Sequence, residues 1–560
     1  MKVSEIPYRR YTIEEGRRDF DAFRTAVKNA ASVEDMLRAH DLYQNMRTEY
    51  ETAACLVNCR FTCNTKDPFY QEEVSYYDEV EPLFSALEVE YAELMLSSPY
   101  RAEMEKHLNP RIFRKMEISK KAFDPIVTED CQEENAVVTE YSKFMSEMVF
   151  IYDGEEMPLS VLRGKLEDSD RGVRRRAAEA IGDGLGKNRE KLDDIYDRLV
   201  KIRDRIAKKM GYRNFVELGY YRMGRMDYDA DMVRRFRDNV ARDLVPAVKK
   251  LKREIADELG IGQMMFYDND VYGKGETPRP HVGTEQLFEE AQKMYDEMDP
   301  DVGAFMRSMR EAEAFDVEPR DGKWGGGYCE GFRKYKQPFI LANFNGSCGD
   351  VDVITHEFGH AYAGYCMYHG GDAELDVGGM ETAECHSMSM EFFCWKGTER
   401  FFGADADKYR KKHLLDAFSF IPYGVIVDEF QEIVYEHPEY TPAERDAVYL
   451  ALEKKYRPYL SFEGIPYLEL GTRWQYQMHI YETPFYYIDY CLAQTVAIGF
   501  LIESRKDWKG AFDRYLCFLR AGGQKAFPEL VREAGLPSPF TDGALAEMAQ
   551  KVVGIAESLG

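Results

Sequence analysis

Residues 349–360 read GDVDVITHEFGH, and the last five carry the pattern around which the fold is organised. His356 and His360 are four residues apart, so on a helix their side chains project from one face, one turn apart. Two neutral imidazoles at this spacing can bind one tetrahedral zinc ion, and Glu357 lies beside them, where it can act on a metal-bound water. The stretch therefore predicts a zinc-binding helix of the kind found in metallopeptidases.

The motif is short, so its chance occurrence has to be weighed. The chain holds 10 histidines and 100 acidic residues among its 560 residues. These frequencies give fewer than about 0.03 accidental matches to the pattern. The competing interpretation is two surface histidines on an ordinary helix, and the residues around the motif decide between the two.

A catalytic zinc ion needs a third protein ligand as well as an open position. The extended motif with a third histidine on the same chain segment is excluded, because Ala363 and Cys366 occupy the places of its glycine and histidine. A helix-like stretch at 379–395 offers four other candidates: Glu381, Glu384, His386 and Glu391. Spacing alone leaves the choice open, although His386 is two residues from Glu384 and so on a different helix face.

The remaining carboxylates near the motif are candidates for orienting the histidines. Glu381, Glu384 and Glu391 share one helix face, so one can bind zinc while the others hydrogen-bond to the ligands from behind. Asp352, one turn before His356, is a further candidate for this role. The alternative for each is a carboxylate that simply faces solvent.

Most of the chain predicts helices, with little strand. Apolar residues recur at three- and four-residue steps in four stretches: 12–30, 32–54, 192–206 and 231–259. Gly211 stands where a glycine commonly follows a helix end. Strand signals are clearest at 328–332 and 339–344, just after the glycines at 325–327. The predicted fold is mainly α, with one small β-sheet next to the zinc-binding helix.

The chain is too long for one ordinary hydrophobic core, so two packed regions are expected. The glycine-rich sequence at 182–186 is the best candidate for a break between helical stretches. We therefore predict an N-terminal helical domain at 1–185 and a catalytic zincin domain at 186–560 that carries the metal-binding helix.

Charge and composition exclude several classes of partner. A formal charge of -26 argues against nucleic acid, because phosphate contacts need clustered Lys and Arg. The sequence contains no run of about 18 apolar residues, so no membrane span is predicted. Residues 1–20 also lack the apolar core of a signal peptide. Eleven scattered cysteines without paired spacing fit a reducing compartment. We expect a cytoplasmic protein without nucleic-acid or membrane partners.

Several motifs together resemble the oligoendopeptidase F family, which is related to thimet oligopeptidase and neurolysin. The similarity is greatest to the shorter Pz-peptidase-like members. The matching stretches are 339–346 (FILANFNG) and 349–360, with further likeness at 170–175, 211–215, 484–490 and 532–536. The resemblance thus covers most of the chain from about residue 150 onward.

This resemblance implies a set of zinc ligands and a catalytic base. His356 and His360 correspond to the two histidine ligands. Glu384 corresponds to the third, because the family's ligand opens a Glu-x-x-Ser element and residues 384–387 read ECHS. Glu357 corresponds to the general base, which takes a proton from the zinc-bound water. The implied cofactor is one zinc ion per chain.

The same resemblance implies that His479, Tyr487 and Tyr490 stabilise the oxyanion and orient the substrate. Thr483 is a favourable N-cap and Pro484 a favourable first residue, so we expect their helix to begin there. Tyr487 and Tyr490, three residues apart, would then share a face. The alternative for each tyrosine is ordinary aromatic packing.

The implied fold is a multi-helical, bowl-like peptidase with a deep substrate channel that admits short unstructured peptides. We expect the strand at 339–344 to be an edge strand that pairs with the peptide backbone. The chain departs from the thimet oligopeptidase pattern at 480–483, which reads IYET in place of a glycine-rich loop. Cleavage-site preference and oligomeric state stay open.

Two other classes of function remain as alternatives. One is a peptide-binding module that retained the scaffold without activity, which the intact His356, Glu357, His360 and Glu384 disfavour. The other is a helical scaffold whose histidines bind metal adventitiously. Neither accounts for the group formed by His479 and the tyrosines that follow it.

Overall fold

The computed structural model describes residues 1–370 and 373–559, and helices form most of it. Five helices make up the N-terminal part: α1 (Ile13–Asn29), α2 (Val33–Cys63), α3 (Pro68–Leu96), α4 (Arg101–Met104) and α5 (Pro110–Ala122). Nine more precede the sheet: α6 (Thr128–Glu147), α7 (Leu159–Lys165), α8 (Arg171–Lys187), α9 (Arg189–Lys209), α10 (Phe215–Arg222), α11 (Ala230–Asn239), α12 (Val245–Leu259), α13 (Thr284–Met298) and α14 (Pro300–Glu311). The expectation of a mainly α fold is confirmed.

Ten helices follow the sheet and contribute the chemistry: α15 (Gly349–Gly370), α16 (Met380–Phe393), α17 (Glu399–Phe402), α18 (Ala406–Glu436), α19 (Pro442–Tyr456), α20 (Met478–Glu482), α21 (Tyr487–Ser504), α22 (Trp508–Ala521), α23 (Phe527–Glu533) and α24 (Ala544–Ser558). Among the described residues, no helix combines the length and apolar character that crossing a bilayer requires.

Local sequence explains several helix limits. Thr12 caps α1 by accepting a hydrogen bond from the backbone of Glu15, whose side chain returns to Thr12. Ser32 caps α2 by accepting a hydrogen bond from the backbone N–H of Asp35, and Gly211 has a φ of +86° just beyond α9. The continuous helix predicted at 231–259 is wrong in one respect, because a five-residue π-helical turn (Val240–Leu244) separates α11 from α12.

The sheet upstream of α15 contains three strands: β3 (Phe315–Asp316), β4 (Tyr328–Phe332) and β5 (Gln337–Leu341). A separate hairpin joins β1 (Phe150–Tyr152) and β2 (Glu155–Met157). The three-stranded sheet has the order β3-β5-β4, with β5 parallel to β3 and antiparallel to β4. The expectation that the second predicted strand is an edge is therefore wrong, because β5 is paired on both sides and the edges are β3 and β4.

Hydrophobic side chains form two separate clusters. The smaller is built from residues 11–116 together with Leu375, while the larger runs through the rest of the chain and also takes in Leu56 and Cys59 of α2. Residues of α8, on the N-terminal side of residue 185, belong to the larger cluster with those of α9. The domain division at residue 185 stays a prediction.

The glycines at 182–186 are not a break, because they lie inside α8. Glycine, which has no side chain, is needed at these positions because neighbouring segments come close. A Cβ at Gly182 would lie 1.9 Å from the carbonyl oxygen of Pro466, and one at Gly184 would lie 2.2 Å from the ring of Phe150. The sequence signal was therefore one of tight packing, and helix α8 continues through it to Lys187.

Replacement of Gly182 by alanine tests this close approach. The added methyl group collides with backbone, which cannot rotate away, so we expect Gly182→Ala to lower the free energy of unfolding by about 1–3 kcal/mol. Gly164→Ala is the matched control, because a Cβ at Gly164 of α7 meets no atom within 4 Å. Urea denaturation of both variants measures the difference, and equal stabilities would contradict the packing explanation.

Candidate metal centre and active site

The site depends on how closely α15 and α16 approach each other. Gly359 lies between the two motif histidines, and a Cβ there would be 2.7 Å from both the carbonyl oxygen of His386 and the Cα of Ser387. Such contacts are closer than any side chain tolerates, so only glycine permits this helix spacing. The result is that the third candidate ligand, Glu384 on α16, comes within reach of the two histidines on α15.

Three side chains converge at this point. The Nε2 atoms of His356 and His360 each lie 3.4 Å from Oε2 of Glu384. The ligand atoms of the three residues all lie within 4.8 Å of one another. Tetrahedral zinc with ligands at about 2.0–2.1 Å separates neighbouring ligand atoms by about 3.3–3.4 Å. The donor set and its spacing therefore fit a zinc ion.

A hydrogen-bonded chain behind the site fixes the orientation of His356. Its Nδ1 lies 2.6 Å from Oε1 of Glu391, and the other carboxylate oxygen lies 2.6 Å from Nε2 of His413. Trp395 donates its indole N–H to Nδ1 of His413 at 2.8 Å. Because Trp395 can only donate, His413 carries its proton on Nε2 and donates to Glu391.

The charge on Glu391 is maintained by these two imidazoles. Burial raises the pKa of this carboxyl, but hydrogen bonds from His356 and His413 outweigh it and bring the pKa to about 2. An ionised Glu391 accepts the Nδ1 proton of His356 and leaves the Nε2 lone pair directed towards Glu384. The nitrogen of His356 that faces Glu384 is thus set by a residue 35 positions away.

Glu384 is held from its other side. Tyr486 donates its hydroxyl to Oε1 at 2.8 Å, and Ser387 donates to Oε2 at 3.1 Å. The Glu384 side chain is only 5% exposed, compared with 24% for His356 and 20% for His360. The carboxylate is therefore anchored in the protein interior, while the imidazoles border open space.

Two cavities meet beside these residues. The metal cavity is lined by the candidate ligands, by Glu357, by residues 327–331 leading into and along β4, and by Tyr486. The second cavity is lined by Glu391, His413, Arg473, His479 and Tyr487, among others. Tyr490 lines both cavities, so its side chain stands at their junction.

Comparison with known proteins identifies the family. The model of Peptidase family M3 matches residues 165–550, and that of the Peptidase M3 N-terminal domain matches residues 3–123. The chain belongs to peptidase family M3. The resemblance to oligoendopeptidase F that the sequence motifs indicated is confirmed.

Solved and curated relatives agree with membership of family M3. The structure of PZ peptidase A with an inhibitor is 41% identical, with a TM-score of 0.95 over 100% of this chain and 99% of that one. A Bacillus anthracis str. Ames protein assigned to oligoendopeptidase F is 35% identical, with a TM-score of 0.90 over 100% and 98%. Oligopeptidase PepF of Bacillus subtilis (strain 168) is 22% identical over 414 residues, 70% of this chain and 58% of that protein. The match thus spans less than two thirds of PepF.

His479 lines the second cavity, with its ring centre 6.0 Å from that of Tyr490, and is a neutral hydrogen-bond donor. Burial lowers its pKa to about 4. Gln477 accepts from the Tyr423 hydroxyl at 2.5 Å through Oε1, so its amide nitrogen faces His479 Nδ1 at 3.0 Å and donates to it. The single proton of the imidazole therefore sits on Nε2, the nitrogen that Gln477 does not contact.

The predicted tyrosines lie on different sides of the junction. Tyr487 lines the second cavity, where its ring contacts Tyr423 and His479, whereas Tyr490 reaches the metal cavity as well. Helix α21 does not begin at Thr483 and Pro484 as expected. It begins at Tyr487, after Phe485 adopts a φ of +70°.

The other predicted candidates occupy distinct positions. Glu381 is buried and accepts from the Thr382 hydroxyl at 3.1 Å, and burial raises its pKa to about 7. Asp352 accepts a hydrogen bond from Tyr409. His386 lies away from the three convergent ligands, and burial lowers its pKa to about 3. Of the four candidates considered for the third ligand, the described structure brings only Glu384 to both histidines.

Two functional candidates were missed. Tyr486 contacts Glu384, and His413 contacts Glu391. Tyr486 and Tyr490 are four residues apart, which places them on one helix face as readily as Tyr487 and Tyr490. That spacing was the available signal for Tyr486. His413 lies on α18, and no local pattern connects it to α15 or α16.

The Glu391→Gln variant tests whether the hydrogen bonds through Glu391 orient His356. Glutamine offers a single acceptor oxygen, so one of the two imidazole N–H groups loses its partner. We expect zinc affinity to fall by about 10–100-fold, measured by competition with a chromophoric chelator. Glu381→Gln is the matched control on the same helix and should leave affinity unchanged. Equal losses in both variants would show that Glu391 has no special role.

Proposed function

We propose that this chain is a zinc-dependent endopeptidase that hydrolyses short, unstructured oligopeptides. The observation that carries the proposal is the convergence of His356, His360 and Glu384 in a cavity that Glu357 also lines. Membership of Peptidase family M3 supports the same reaction class. His356 and His360 would hold the ion through Nε2, and Glu384 would hold it through a carboxylate oxygen.

The bound ion would polarise the scissile carbonyl and lower the pKa of the attacking water towards about 7. Glu357 takes a proton from that water as the new carbon–oxygen bond forms. It then passes the proton to the nitrogen of the leaving amine as the carbon–nitrogen bond breaks. One carboxylate therefore serves as base and then as acid, and it returns to its starting state after each turnover.

Tyr490 and His479 are the proposed donors to the carbonyl oxygen as it gains charge. Burial, followed by the nearby carboxylates of Glu384 and Glu357, raises the pKa of Tyr490, so the hydroxyl keeps its proton at neutral pH. His479 is neutral and carries its proton on Nε2. Both groups can therefore donate a hydrogen bond that strengthens as the oxyanion forms.

The edge strand β4 is the proposed binding surface for the peptide backbone. Residues 327–331 line the metal cavity, and within residues 1–370 and 373–559 no strand pairs with β4 on the side away from β5. An extended peptide can pair there as an added strand. This replaces the strand at 339–344, because β5 is internal to the sheet.

The shape and composition of the site suggest what it admits and where it works. The candidate ligands lie in a cavity where Glu384 is buried and the two imidazoles border open space, so an extended segment enters more readily than a folded surface. All eleven cysteines are free thiols, which supports our placement of the protein in the reducing cytoplasm. The formal charge of -26 argues against nucleic-acid partners.

Chelation and the Glu357→Gln variant test the proposal together. Wild type should cleave a quenched fluorescent peptide of about ten residues, lose activity on chelation and regain it with zinc. Glu357→Gln should bind zinc stoichiometrically yet turn over about 10²–10⁴-fold more slowly, because the proton acceptor is gone. No cleavage by zinc-loaded wild type across a mixed peptide library would favour a peptide-binding module. Weak, substoichiometric zinc would favour an adventitious metal scaffold.

Tyr490→Phe and Tyr487→Phe separate the two tyrosines. Both substitutions remove one hydroxyl from neighbouring turns of α21, but only Tyr490 lines the metal cavity. We expect Tyr490→Phe to lower kcat by about 10²–10³-fold, as loss of an oxyanion donor does, and Tyr487→Phe to have a much smaller effect. Steady-state kinetics on one peptide decides. A greater loss in Tyr487→Phe would reverse our assignment of the donor.

A further inference from the structure

One carboxylate that lines the metal cavity has no role in the proposed reaction. Within residues 1–370 and 373–559, four carboxylates line that cavity: Glu330, Glu357, Asp376 and Glu384. The proposed reaction uses Glu357 and Glu384, and Asp376 is ion-paired with Lys115 at 2.7 Å. Glu330, on the edge strand β4, is the one carboxylate of this set left without a cation among the described residues.

The carboxyl group of Glu330 is buried and only partly hydrogen-bonded. Asn58 of α2 donates its side-chain amide to Oε1 at 3.1 Å. The other oxygen, Oε2, is buried and has no hydrogen-bond partner in the part of the chain that the structure describes. Burial raises the pKa of Glu330 to about 7, and the hydrogen bond from Asn58 only partly offsets this effect. A cation beside Oε2 would satisfy that oxygen and favour the ionised carboxylate.

Glu330 faces α2, one of the two helices that border β4. Tyr328, two residues earlier, shares this face, and its hydroxyl is hydrogen-bonded to that of Thr62 of α2 at 2.6 Å. The opposite face is turned towards α15, where the Tyr368 hydroxyl occupies the space that a Cβ at Gly331 would need. A peptide paired with β4 on the side away from β5 therefore directs alternate side chains towards α2 and α15.

One substrate side chain would lie beside Glu330 and an aromatic surface. Directly opposed residues of neighbouring strands have Cβ atoms about 4.5–5.5 Å apart on the same face. The ring centre of Trp324 is 6.1 Å from that of Tyr328, and Trp324 is 40% exposed. Aromatic rings attract cations and also pack against long aliphatic stems. These surroundings match a side chain with an apolar stem and a positively charged end.

We propose that Glu330 is a specificity-determining residue that binds the charged end of a substrate lysine or arginine, while Tyr328 and Trp324 contact the aliphatic stem. This inference rests on the proposed function and names a substrate class for the same site. A charge-assisted hydrogen bond to a buried carboxylate is stronger than an exposed ion pair. The formal charge of -26 favours the approach of cationic peptides.

A lysine scan of one substrate tests this assignment. Quenched fluorescent peptides of about ten residues share one sequence and an acetylated N-terminus, and a single lysine is moved through them. Each is compared with a peptide that carries Nε-acetyllysine at the same position, which removes the charge but keeps the stem. An unacetylated copy without lysine completes the set. The assay is run at pH 8, where the Glu330 carboxyl, with a pKa of about 7, is ionised.

Zinc-loaded wild type should prefer lysine at one position relative to the cut, which mass spectrometry of the products locates. We expect kcat/KM there to be about ten- to a hundred-fold higher for lysine than for acetyllysine, the range of a hydrogen bond to a charged group. The positions immediately before and after it should show no such preference, because their side chains point to the opposite face.

Variants assign the preference to Glu330. Glu330→Gln should bring the ratio of the two kcat/KM values close to one, and Glu330→Asp should retain part of it. Trp324→Ala changes an exposed position, so it should fold and lower the ratio by about two- to fivefold. Glu381→Gln is the matched control, because its carboxyl also has a pKa raised to about 7 by burial but lies on α16. It should keep the wild-type ratio.

Each other result contradicts a specific statement. A ratio near one at every position in wild type would refute recognition of a basic side chain, whether or not Glu330→Gln folds. An unchanged ratio in Glu330→Gln would refute the role of Glu330, and one in Trp324→Ala would refute the stem contact. If Glu330→Gln slowed only the unacetylated peptide, the bound cation would be the terminal ammonium, and the side-chain assignment would be wrong. Failure of zinc-loaded wild type to cleave any of the peptides would instead contradict the proposed function itself.

Discussion

The contact between α15 and α16 at Gly359 is the constraint on which the site depends. Any helix can carry two histidines one turn apart, but they form a metal site only if another element brings a third ligand close to them. A Cβ at Gly359 would lie 2.7 Å from the α16 backbone, so even alanine would separate the helices. The middle of the motif therefore supplies geometry, just as its ends supply ligand atoms. The proposed chemistry presupposes this helix spacing.

Buried charges around the site are arranged in chains and not in isolated pairs. Glu391 accepts from two imidazoles, and Trp395 fixes the proton of the second one. Such a network is favourable in a low dielectric only when every member has a partner. Hydrogen bonds through Gln477 and Tyr423 fix the proton position of His479 in the same manner. In each chain the proton position is determined by a donor or acceptor outside the cavity, so the groups are oriented before substrate arrives.

The sequence predicted what local spacing can encode. The four-residue step in His356 and His360 placed two candidate ligands on one helix face, and apolar periodicity placed helices at 12–30 and 32–54, where α1 and α2 lie. The choice of Glu384 needed family resemblance, because several acidic residues share its face. Long-range facts were out of reach. The glycines at 182–186 indicate a flexible break unless the chain opposite Gly182 is known, and no local signal showed that β5 is internal to the sheet.

A strained residue, Phe485, determines which of the two cavities each neighbouring tyrosine lines. Phe485 has a φ of +70°, a conformation that costs a bulky residue about 1–3 kcal/mol. Its backbone is held on both sides, because Gln431 accepts from its N–H at 3.1 Å and Arg225 donates to its carbonyl. Its ring fits where a Cβ at Gly219 would lie 2.6 Å away. This bend delays the start of α21 by three residues beyond the favourable cap at Thr483 and Pro484. Tyr486 consequently contacts Glu384 while Tyr487 lines the second cavity, so one local distortion directs adjacent tyrosines into different cavities.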